Sequence, residues 1–176
     1  MVVLLGEGGL ERPGGAGRGL SHVDERGNAR MVDVGEKQPS ERVACAEAFV
    51  EMSEVTLSLI TEGNVAKGDA LGVARIAGIQ AAKRTWELVP LCHQVSLTSV
   101  EVDLVPDRDG VRITATARAL DRTGVEMEAL TAVSVAALTL YDMCKAAERG
   151  ITIRDVRLIS KSGGRSGEWT RGEGDG

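Results

Sequence analysis

A chain of 176 residues, 43% hydrophobic and 27% charged, has the balance of one ordinary globular domain able to bury a real core. A net charge of -5 and only 2% aromatic residues argue against a general nucleic-acid binder, which needs a basic surface and rings for stacking. Any phosphate-bearing ligand must therefore meet a local cluster of Lys and Arg. Cys45, Cys92 and Cys144 are scattered without zinc or redox spacing, so reduced thiols and no metal site are expected. The opening Met1 to Leu5 is too short for a signal-peptide core and no run approaches a membrane span, which places the protein in the cytoplasm.

Residues 1–19, Gly-rich with Pro13, read as a disordered extension, 20–169 as the domain and 170–176 as a flexible tail. Arg42 to Met52 alternates as a strand. Ser53 caps a short helix, Glu54 to Thr61, that Gly63 stops. Asp69 caps a long helix to about Leu88, with Leu71, Ile76, Ile79 and Ala82 on its apolar side and Pro90 beyond its end. Val95 to Val105 and Val111 to Leu120 alternate apolar and polar residues around the turn-forming Pro106 to Gly110, which predicts a hairpin. A long helix, Val125 to Arg149, is apolar nearly all round and closes at Gly150; Ile151 to Ile159 is a last strand. Helices segregated between antiparallel strands indicate an α+β sandwich.

Several clusters combine residues that carry chemistry. Lys67-Gly68-Asp69 sets an ammonium at a helix N-terminus, either a solvated lysine or part of an anion site. Leu91-Cys92-His93 pairs a thiol with an imidazole at the entry to a strand, for acid-base work or as a plain loop histidine; His22 is the only other histidine. Thr123 and Glu126 have capping-box spacing. Glu126 and Glu128 point to one side if extended and diverge by about 200° if helical. In Tyr141-Asp142-Met143-Cys144-Lys145, a carboxylate sits where a helix dipole repels it, with Lys145 one turn on as either a structural partner or a proton-transfer group. Lys161-Ser162-Gly163-Gly164-Arg165 offers backbone N–H groups and two cations to phosphate oxygens, and is not a Walker motif because the lysine precedes the glycines.

These clusters occur in order with Arg30-Met31-Val32-Asp33-Val34, Ala77-Gly78-Ile79-Gln80-Ala81-Ala82-Lys83 and Gly124-Val125-Glu126-Met127-Glu128-Ala129. Together, over essentially all of Ser21 to Trp169, the chain resembles the molybdenum cofactor biosynthesis protein C family. The resemblance implies a ferredoxin-like sandwich, an antiparallel sheet with helices packed on one face, assembled as a homohexamer, a trimer of dimers. It implies a lyase that converts 3′,8-cyclised dihydro-GTP, a GTP-derived cyclic nucleotide, to cyclic pyranopterin monophosphate with release of pyrophosphate. Asp142 matches the family's active-site aspartate, with Lys67 and Lys145 as further acid-base residues. Leu91, Cys92, His93, Met127 and Glu128 match substrate-binding segments, and Glu126 and Lys161 match pocket residues. Gln94 stands where the family has proline, which frees the backbone beside His93.

That chemistry suits the residue types. Asp142 with Lys67 and Lys145 can move protons, a desolvated lysine titrating nearer neutrality. Lys161 and Arg165 can neutralise the triphosphate, and Glu128 can hold the guanine-derived edge. No redox step is required, so no cofactor, neither flavin nor nicotinamide, is expected, and no carboxylate cluster demands magnesium. Glu128 and Asp142 lie fourteen residues apart, roughly 21 Å along a continuous helix, so either they bind different parts of an extended substrate or each site borrows residues from a neighbouring subunit; the second, a pocket at a dimer interface, is expected. The alternatives are a non-catalytic ligand-binding domain, or an RNA-binding module, against which the lack of strand aromatics counts.

Overall fold

The computed structural model describes residues 28–172. The N-terminal extension, His22 and the last four residues lie outside them. The chain divides after Val32, and the unit described below begins at Asp33.

The elements are β1 (Ser40–Glu51), α1 (Glu54–Thr61), α2 (Ala70–Ala82), α3 (Thr85–Leu88), β2 (Leu97–Asp107), β3 (Gly110–Asp121), α4 (Glu126–Cys144), β4 (Thr152–Ser162) and β5 (Trp169–Thr170). One sheet has the order β2-β3-β1-β4-β5, and every neighbouring pair is antiparallel. Without β5 this is a β-α-β-β-α-β chain with the two outer units interleaved, the split βαβ arrangement of an α+β sandwich.

Strand alternation builds the core. Ala44, Ala46, Ala48 and Val50 of β1 and Ile113, Ala115, Ala117 and Ala119 of β3 are buried on one face, beneath α2 and α4. Phe49 is a buried ring on the opposite face; the guanidiniums of Arg154 and Arg112 cover it at 4.5 and 5.5 Å from its centroid.

Local signals set the short elements. The Ser53 hydroxyl accepts from the Thr56 amide at 3.3 Å and opens α1, and Gly63, at φ +71, lets the chain leave it. Asp69 Oδ1 accepts from the Gly72 amide at 2.8 Å and opens α2. The long helix expected to reach Leu88 instead breaks after Ala82. There the Thr85 hydroxyl donates back to the carbonyls of Ala82 and Ala81, and Arg84 leaves helical geometry at φ -118, ψ 15. Ile76, expected on the apolar side, is 63% exposed; the buried face of α2 is Ala70, Ala74, Gly78, Ala81 and Ala82. Small residues win that face because α4 lies against it. A Cβ on Gly78 would stand 2.9 Å from the Ala132 carbonyl oxygen and 3.2 Å from the Ala136 methyl.

Helix α4 stops at Cys144, five residues short of Arg149. By length and composition alone it could cross a membrane, contrary to the sequence reading that no run approaches a span. More than half of that stretch is buried within the protein, which makes it a core helix. The Thr123-Glu126 capping box does not form: the N-cap is Val125, without a side-chain bond, because Glu126 is drawn to Lys161 instead. Strand β4 runs three residues beyond Ile159 and so contains Lys161, while Pro106 lies within β2 rather than in the turn.

The Gly78 contact is open to test. Gly78→Val should cost about 1–3 kcal/mol of unfolding free energy in urea titrations through overpacking against α4. An unchanged midpoint at unchanged m would contradict the close approach.

Candidate active site

The candidate residues gather at the two ends of α4. At the N-terminal end the helix makes Glu126 and Glu128 diverge. Glu126 faces a cavity of about 680 Å³. Glu128 turns inward and is 2% exposed.

Glu128 is held by the loop between α3 and β2. The Cys92 amide donates to the Val89 carbonyl at 3.0 Å, which turns the thiol toward α4, where Sγ lies 3.8 Å from Glu128 Oε1. Oε2 of Glu128 is buried with no hydrogen-bond partner. Burial pushes the Glu128 carboxyl up to about 7, and the charges of Glu126 and Asp121 add to it, against hydrogen bonds from its own backbone and the thiol. Burial, with the Glu128 charge second, lifts the Cys92 thiol to about 11. Cys92 is therefore a donor at neutral pH, not a thiolate nucleophile. Leu91 and His93 flank it, half-buried, in the same loop, and Met127 is exposed at the start of α4.

The cavity beside Glu126 is lined by Lys37, Arg42, Arg122, Lys161 and Arg165, with the Gly163-Gly164 turn at its edge. Lys161 Nζ lies 2.9 Å from Glu126 Oε1. Both glycines have positive φ, +95 and +72, so the turn needs residues without a Cβ. A Cβ on Gly164 would also collide with the Arg42 guanidinium. Arg42 in turn donates from Nε to the Asp121 carbonyl at 3.2 Å and from Nη2 to the Arg122 carbonyl at 3.4 Å. It thereby joins β1, the turn before α4 and the glycine turn around one cavity. Sequence reading found Lys161 and Arg165 but missed Arg42, Arg122 and Lys37. Arg42 sits in an alternating strand where an outward arginine is unremarked, and only the strand register brings it to the glycines.

At the C-terminal end, Lys67 Nζ reaches Asp142 Oδ2 at 2.6 Å and the Asp142 carbonyl at 2.8 Å, while Lys145 Nζ meets Oδ1 at 2.7 Å. Lys67 thus serves the end of α4 rather than the start of α2, where its cation suits the negative end of the helix dipole. The aspartate is 53% exposed, although it ends a helix whose middle is buried. Hydrogen bonds from Lys145 and then Lys67 hold its carboxyl at about 2. The desolvation expected of the lysines is outweighed at Lys145: its ammonium is half exposed, and the bond to Asp142 moves it upward rather than toward neutrality. Among the described residues, no group of three or more His, Cys, Asp or Glu is placed to hold a metal.

Glu128 supplies a test. Its native carboxyl titrates near 7 and its unfolded one near 4.5, so the native state holds the extra proton between them. Stability is then greatest below about 4.5 and falls as pH rises through 7, by about 3 kcal/mol in total. Glu128→Gln should lack that slope, so its urea midpoint should exceed the parent's at pH 8 far more than at pH 5. Parallel profiles would remove Glu128 as the titrating group.

Residues 31–164 match the sequence profile of the MoaC family. The chain is 58% identical over 152 residues to cyclic pyranopterin monophosphate synthase 2 of Mycobacterium tuberculosis, covering 86% of this chain and 91% of that protein. It is 57% identical over 152 residues to cyclic pyranopterin monophosphate synthase of Brucella ovis, covering 85% and 92%. A profile spanning most of the described chain, and relatives matched nearly end to end, place this chain in the MoaC family.

Proposed function

We propose that this chain is a lyase of molybdenum cofactor biosynthesis, acting in the cytoplasm. It converts 3′,8-cyclised dihydroguanosine 5′-triphosphate to cyclic pyranopterin monophosphate and releases pyrophosphate. The observation that carries the reading is the pairing, on one helix, of a cation-lined cavity at one end with a Lys-Asp-Lys cluster at the other. A polyphosphate nucleotide undergoing proton transfers needs both.

Lys161 and Arg165, with the amides of the Gly163-Gly164 turn, receive the triphosphate and stabilise the charge that builds as pyrophosphate departs. Glu128 is assigned the guanine-derived edge: its Oε2 is unpartnered but buried, so ligand binding has to open its surroundings before ring N–H groups reach it, and a carboxyl near 7 ionises readily once such donors arrive. Leu91, Cys92, His93 and Met127 wall that end. Asp142, ionised at neutral pH, fixes the directions of two ammonium groups 2.6 and 2.7 Å away. Lys67 and Lys145 are the proton donors to the opening ring once substrate displaces their bonds to Asp142, which in the empty site hold Lys145 above its ordinary value.

A single chain cannot bring both ends to one nucleotide. Fourteen helical residues separate Glu128 from Asp142 by roughly 21 Å. That spacing favours a pocket completed across a dimer interface, and the family resemblance supplies the rest of the assembly, a homohexamer built as a trimer of dimers. The exposed apolar residues Val73 and Ile76 of α2 and Leu138 of α4 support such contacts.

Incubation with the cyclised dihydro-GTP should yield pyrophosphate and the cyclic phosphate. Asp142→Asn should remain folded and lower kcat by about 10²–10⁴-fold, the usual worth of acid-base machinery. Unchanged kcat would make Asp142 a structural partner of its lysines. No turnover by intact, assembled protein would leave a phosphate-binding domain without catalysis.

A further inference from the structure

The cavity at the start of α4 carries five cationic side chains and two carboxylates, Glu36 and Glu126. Only Glu126 is bonded to a cavity lysine: its Oε1 lies 2.9 Å from Lys161 Nζ, with the two side chains 29% and 28% exposed. It stands in the first position of α4 without closing a capping box, since the N-cap is Val125. Behind it, Gly124 leaves the room it needs; a Cβ there would collide with the Glu126 carboxylate. The carboxylate is thus folded back over Lys161, on the lysine that the anion site would offer to a ligand oxygen.

We propose that Glu126 is an electrostatic latch on Lys161, which occupies the lysine in the empty cavity and must be displaced by an incoming phosphate oxygen. The inference rests on reading the cavity as the triphosphate site. A carboxylate and a phosphate oxygen compete for one ammonium, so each ligand must first break a charge-assisted bond to gain one. A di- or triphosphate, which also reaches Arg165 and the glycine amides, recovers that cost several times over. A lone phosphate recovers it once at most. When pyrophosphate is cleaved off, Glu126 recaptures Lys161 and so speeds product departure. The latch therefore lowers affinity for any anion that needs Lys161 and hastens release, and its carboxylate opposes binding although it lines the pocket.

The test is calorimetric titration of inorganic pyrophosphate into the intact protein. Glu126→Gln and Glu126→Ser both remove the charge, and each should bind pyrophosphate about two- to fivefold tighter than the parent, the scale of a partly exposed ion pair. The gain should vanish when Glu126→Gln is combined with Lys161→Ala and compared with Lys161→Ala alone. Inorganic phosphate that binds through Lys161 should gain affinity by the same factor, since it breaks the same bond. Unchanged or weaker pyrophosphate binding in both Glu126 variants would overturn the proposal. So would the same gain without Lys161, which would mean diffuse charge, or a parent protein and variants that all fail to bind pyrophosphate. None of these readings needs turnover, so the absence of lyase activity would sink the proposed function while leaving the latch standing or falling by itself.

Discussion

Helix α4 has an apolar middle that must stay under the sheet and against α2, and this constraint distributes everything else. From Ala129 to Leu140 its inward residues are Ala, Val and Leu, and the facing side of α2 is reduced to alanines and Gly78 so that the helices approach closely. Charges are excluded from that middle by the cost of burying them unpaired. Ionisable groups collect at the two ends, and the rigid spacing of the helix keeps those ends apart. A site that joined both ends on one nucleotide would draw on another chain, as the proposed dimer interface does.

The two ends offer different acid-base settings. At the start of α4 burial dominates: the Glu128 carboxyl rises to about 7 and the Cys92 thiol to about 11, so both favour their neutral forms. At the end, solvent and ammonium groups dominate, and the Asp142 carboxyl falls to about 2. One helix thus presents a carboxyl that can change its charge on binding and a carboxylate that keeps it. Divergent environments for paired acids are how a single fold separates recognition from proton transfer. The Glu126-Lys161 pair beside the cavity adds a third setting, in which a cation is held in reserve by a carboxylate of the same chain.

Much of the fold was legible because local chemistry and tertiary demand agreed. Ser53, Gly63 and Asp69 cap where capping chemistry says they must, and alternation placed β2 and β3 on either side of their turn. Misreadings fell where a distant partner outweighed a local preference. Thr123 and Glu126 had the spacing of a capping box, but Lys161, thirty-five residues on, took the carboxylate. Ile76 had helical periodicity with Leu71 and Ile79, yet the neighbouring helix wanted the alanines. The motif residues proposed for the site stand out in sequence, since their order along the chain is specific. Their environments were not. Nothing in Asp142-Met143-Cys144-Lys145 says that Lys67 completes the cluster in the open, and nothing in β1 says that Arg42 will lie against Gly164.

The central claim is that each pocket takes Glu128 from one chain and Asp142 from another. It is tested most directly by mixing two inactive proteins, Glu128→Ala and Asp142→Asn, after subunit dissociation and reassembly. Half of randomly paired dimers are then mixed, and each mixed dimer has one intact pocket, so activity should return to about a quarter of the parent's. Hetero-oligomers that form and stay inactive would show that each chain carries its own complete site.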